Sequence, residues 1–127
     1  MIIAILILVA LASDCKAVRD TVQFHYGVSI FRRCKNIQFW NPDISWKNKY
    51  KEGEIGKPRF WGSTTIFVWL TDAWHLFDFL GILFMFIAML LMSCAELGVG
   101  ISILVVFCSF VLYFGLFELN FRLLTKI

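Results

Sequence analysis

Apolar residues run unbroken from Met1 to Ala12, return as a nearly continuous block from Phe79 to Met92, and fill Ile101 to Leu119. The first block covers only about 18 Å as a helix, too short to cross a hydrocarbon core of about 30 Å. Nothing before Gly27 is glycine or proline, so this helix is expected to continue through Ser13 to Val18 and beyond. A signal peptide cleaved after Ala10-Leu11-Ala12 is the competing reading. The lack of a positive leader favours an uncleaved span, and Asp14 stands where a lipoprotein Cys15 needs a small neighbour.

The second block reads as one long helix over residues 63–94, capped by Ser63 or Thr64. Its length of about 45–50 Å exceeds the bilayer core, so its start is expected in the interface and its crossing from Ala73. Residues 95–100 form a tight turn with Gly98 and Gly100, and residues 101–127 a third span with a short basic tail. The pattern therefore predicts an all-α membrane protein with three transmembrane helices, the first over 1–27, and the second and third as an antiparallel hairpin.

Residues 28–62 break the pattern. Pro42, Gly53, Gly56 and Pro58 interrupt regular structure, while Asn41 can cap a helical turn that starts at Pro42. Aromatic residues (Phe31, Phe39, Trp40, Trp46, Tyr50, Phe60 and Trp61) are interleaved with lysines and arginines, as in a belt at headgroup level. A single-stranded nucleic-acid platform has a similar composition. Two flanking membrane segments pin this loop to a bilayer instead, so no nucleic-acid partner is expected.

Composition agrees with the pattern. Of 127 residues, 60% are hydrophobic, well above the roughly 45–50% of a soluble domain. The net charge of +3 is modest and local. The loop carries Arg32, Arg33, Lys35, Lys47, Lys49, Lys51, Lys57 and Arg59, and the tail Arg122 and Lys126, whereas the turn carries only Glu96. The positive-inside rule then places the loop and C-terminus in the cytoplasm and the turn outside, in the inner membrane. Cys15, Cys34, Cys94 and Cys108 form no C-x-x-C pair and read as reduced packing cysteines.

One polar constellation stands out. Asp72, His75 and Asp78 are spaced by three, which places them on one slanting helical stripe at the membrane edge. A carboxylate beside an imidazole fixes its tautomer and orients the other ring nitrogen, which suits a general base, a proton relay or part of a metal site. His75, Asp72, His25 and Glu118 are the metal-ligand candidates, with Cys15 a further donor. The competing reading is structural: polar residues at a helix's membrane edge pair with lysines or arginines of the loop. No cofactor is specified by any motif.

Phe39-Trp40-Asn41-Pro42, Ile44 to Lys51, Gly62 to Thr65 and Leu70-Thr71-Asp72-Ala73-Trp74-His75-Leu76-Phe77 together form a pattern over about the middle half of the chain. It resembles a group of uncharacterised small bacterial and phage-type integral membrane proteins. The resemblance implies the membrane class and carries no activity. The leading expectation is an interaction or accessory component whose partners are the lipid bilayer and a membrane protein or further copies of itself. A membrane-edge enzyme or proton or metal site on Asp72, His75 and Asp78 is the alternative, and a holin-like pore former a third, against which the large central loop counts.

Overall fold

A computed structural model describes residues 1–125; Lys126 of the basic tail lies outside the described residues. The described chain is helical, with one isolated antiparallel bridge between Tyr50 and Pro58. Three long helices, α1 (Ile2–His25), α4 (Ala73–Cys94) and α5 (Val99–Thr125), frame a loop that holds two single-turn helices, α2 (Ile37–Trp40) and α3 (Pro42–Ser45), and several 3-10 turns. Asn41 caps α3, its Oδ1 accepting the Asp43 N–H at 3.0 Å, with Pro42 in the first turn where its missing N–H costs nothing.

Helix α1 lies at the centre. Ile5 and Val9 pack with Ala88 late in α4 and Val105 early in α5. At the other end Val22 packs with Ala73 at the start of α4 and with Leu124 at the end of α5. So α1 runs antiparallel to α4 and parallel to α5. The Ala95–Gly98 link and Met1 fall at one end, the loop and the end of α5 at the other. The helices α4 and α5 follow one another in sequence, but each packs on α1 far more than on the other.

Residues with small or polar side chains make α1 fit this place. Ala12, Ser13, Ala17 and Thr21 are fully buried. Ser13 Oγ donates to Tyr113 O on α5 at 2.7 Å, and Asn120 Nδ2 donates to Asp14 Oδ1 at 2.5 Å. On the opposite side Gly81 of α4 allows close approach: a Cβ there would lie 3.5 Å from Cys15 Cβ and 3.6 Å from Ala12 O.

The helices α4 and α5 are each long and apolar enough to cross a membrane, and only 6% of the most apolar stretch of either is buried. Ile82, Phe86 and Met89 on α4, and Ile103, Phe107 and Phe110 on α5, point outward. Helix α1 has the length, at about 36 Å, but carries Asp14, Lys16, Arg19 and Asp20 in its second half.

The structure corrects one expected boundary. The helix predicted from Ser63 starts at Ala73 instead. Ser63 does not cap it: its hydroxyl donates to Lys49 O at 2.7 Å and accepts the Arg59 N–H at 3.1 Å, which fastens the loop to itself. Residues 63–72 fold back as turns. Gly62 at φ +79° leads in, Phe67 N–H donates to Gly62 O at 2.8 Å, and Asp72 is extended at φ −155°.

Candidate functional site

The head of α4 and the loop meet at Asp72. As the N-cap residue, Asp72 accepts the His75 backbone N–H on Oδ1 at 3.0 Å, satisfying one of the free donors of the first turn. Its Oδ2 lies 2.7 Å from His75 Nδ1, so the ring is held by the same carboxylate. With Nδ1 bonded to the carboxylate, Nε2 is the nitrogen left for other chemistry. Asp72 is only 2% exposed, and its charge faces the positive end of the helix dipole.

The segments that surround this pair come from three parts of the chain. Trp74 Nε1 donates to Gln23 Oε1 on α1 at 2.7 Å. Asn48 uses both amide hydrogens to tie the loop down, donating to Gln38 O at 2.8 Å and to Thr71 O at 2.9 Å. Phe31 stacks on Trp40 with centroids 4.6 Å apart, and Trp40 leans on Phe77 of α4. Tyr26 packs in the same cluster. The result is a cleft of about 220 Å³ lined by Gln23, Pro42, Ser45, Trp46, Asp72, Trp74 and His75.

The structure divides the predicted stripe. Asp72 and His75 act together, but Asp78 turns away to α1, where its Oδ1 lies 2.6 Å from Arg19 Nη1. Arg19 also grips Asp20 at 2.7 Å, and Asp20 takes Lys16 at 2.8 Å. These four residues form a charge network that joins α1 to α4, the structural pairing weighed above, with α1 rather than the loop supplying the cations.

The other metal-ligand candidates also separate. His25 packs edge-on against Phe121, Glu118 pairs with Arg122 four residues on at the surface, and Cys15 is buried against Gly81. Among the described residues no three His, Cys, Asp or Glu side chains come together as a metal site. All four cysteines are free.

Two residues of the cleft were not singled out from the sequence. Ser45 is 5% exposed, and its hydroxyl has no hydrogen-bond partner among the described residues. Gln23 presents an amide whose oxygen is already engaged by Trp74. Neither carried a signal: each is a lone polar residue far in sequence from His75, and only the fold brings them together.

Chemically, the arrangement provides an oriented imidazole at the loop end of the helices, in a cleft with an aromatic wall, a free hydroxyl and an amide. Comparison of the chain with protein-family models, with curated proteins and with solved structures yields no match, so the reading of this site rests on its own geometry.

Proposed function

We propose that this chain is a membrane-embedded protein of three crossing helices that acts through interactions, as an accessory subunit or a component of an oligomer in the inner membrane. The observation that carries the reading is the outward apolar surface of α4 and α5. A soluble protein buries helices of this composition, whereas here their large side chains are largely uncovered. The place of α1 between them supports a third crossing. Its charges are not left alone, since Asp14 meets Asn120 and Arg19 meets Asp78.

Residues 28–72 and the end of α5 share one end of the bundle, and the basic residues gather there, which favours the cytoplasmic side for that end. Two native cysteines test this. Cys94 stands exposed at the end of α4 and Cys34 in the loop at the opposite end. In single-cysteine variants, an impermeant maleimide applied to intact cells should label Cys94 and spare Cys34 until the cells are opened. Labelling of Cys34 in intact cells rejects this orientation. Extraction by alkaline carbonate without detergent rejects the embedding itself.

A second reading rests on the cleft. With Asp72 orienting His75 and Ser45 lining the same cleft, the geometry favours a general base at the membrane edge acting on the Ser45 hydroxyl. A fluorophosphonate probe should label Ser45 if that hydroxyl is activated, and His75→Gln should abolish the label. An unlabelled wild-type protein removes this reading and leaves Asp72 and His75 as a helix cap.

A further inference from the structure

We infer that the cleft lined by Lys47, Lys51 and Arg59 is a binding site for a phosphate group, and that the phosphate is the headgroup of an anionic phospholipid. The cleft holds about 470 Å³. Among the described residues none of its three cations has an ion-pair partner, although the loop contains acids. Glu54 is taken by Lys57, and Glu52 is the single carboxylate in the cleft wall. Three cations held against one carboxylate repel one another, and a phosphate offsets that with charge-assisted hydrogen bonds.

The cations sit on a fixed frame rather than on a loose chain. Lys51 N–H donates to Lys57 O at 2.8 Å and Arg59 N–H to Lys49 O at 3.0 Å, on either side of the Tyr50–Pro58 bridge. Gly53 turns the chain at φ +77°, a conformation that suits glycine, and its Cα side faces the Lys47 stem at ordinary contact distance. Nζ of Lys47 rests 5.7 Å from the Trp46 ring. Less side-chain and backbone freedom is therefore lost when a ligand arrives.

The neighbouring surface selects between a lipid and a free phosphate. A second cleft of about 400 Å³ shares Gln38, Asn48 and Arg59 with the first and adds Phe39, Phe60 and Leu70 beside the polar Asn36 and Thr71. Phe60 and Leu70 are exposed, as are Trp61 and Ile66. Cations beside uncovered aromatic and aliphatic side chains match a phosphate attached to a hydrocarbon body; a free phosphate would leave the apolar side unused. The inference rests on the membrane reading above, which the labelling and extraction experiments test separately.

The full-length protein in nonionic detergent is titrated with phosphatidylglycerol or phosphatidylcholine, and bound lipid is counted by native mass spectrometry. K47Q/K51Q/R59Q should weaken phosphatidylglycerol binding by about tenfold or more. R32Q/R33Q/K35Q, which removes the same formal charge from the same loop, should weaken it by less than about threefold. Equal losses in the two variants, or no loss in the first, overturn the site. Displacement of phosphatidylglycerol by millimolar inorganic phosphate at constant ionic strength overturns the lipid assignment and leaves a free-anion site. K47R/K51R, which keeps the charge, should bind as wild type; a loss there with an unchanged unfolding midpoint also overturns the site.

Discussion

Asp72 holds His75 at two points, accepting the backbone N–H on one carboxylate oxygen at 3.0 Å and facing ring Nδ1 with the other at 2.7 Å. One side chain thus sets both where α4 begins and how the imidazole is turned. The two roles separate by substitution. Asp72→Asn keeps a capping oxygen and should cost only a few tenths of a kcal/mol, whereas Asp72→Ala should cost about 1 kcal/mol. Thermal unfolding in detergent measures both, and equal losses would show that the charge, not the cap, carries the effect.

The Arg19–Asp78 pair ties α1 to α4 at 2.6 Å, with 28% and 35% of the side chains exposed. Exposure of that size screens the attraction, so a double-mutant cycle with Arg19→Gln and Asp78→Asn should return a coupling of about 1 kcal/mol rather than a buried-pair value. The exchange Arg19→Asp with Asp78→Arg should recover part of the loss of either single change. A coupling near zero would show that Asp20 alone satisfies Arg19.

Gly81 faces Cys15 and Ala12 at ordinary contact distance once a Cβ is added. Gly81→Ala should therefore leave stability within about 0.5 kcal/mol of wild type. Gly81→Leu should force α1 and α4 apart and cost about 1–3 kcal/mol. The unfolding midpoints of the two variants check the claim; a tolerated leucine would mean that the helices do not meet there.

Gly62 is different, because it fails on both space and backbone. A Cβ would sit 2.8 Å from Phe67 Cδ2, and its φ of +79° disfavours any side chain. Gly62→Ala should cost at least about 1–2 kcal/mol. Since Ser63 fastens the loop to Lys49 and Arg59, that loss should show as faster proteolysis within residues 46–71, with α4 and α5 still protected.

Helix α5 and the apolar part of α4 were legible because long apolar runs need no partner to be read, and the cap at Asn41 because Asn-Pro is a local signal. The start of α4 was not. Ser63, Thr64 and the residues after them permit a helix, and only the tertiary bonds of Ser63 and the extended backbone at Asp72 decide against it. The spacing of three correctly joined Asp72 to His75, yet through a cap rather than a shared face. It failed for Asp78, whose partner Arg19 lies 59 residues away on a helix read as a separate span. The central place of α1 had no local signature either, since burial of Ser13, Ala17 and Thr21 depends on two helices that come much later in the chain.

That arrangement has a consequence for assembly order. Helix α1 leaves the ribosome long before α4 and α5, so Asp14 and Arg19 are made before Asn120 and Asp78 exist to pair with them. Helix α5, made after α1 and α4, completes the environment of α1. Expressed as two fragments split within the loop, α1 should be degraded alone and rescued by co-expression of the α4–α5 fragment.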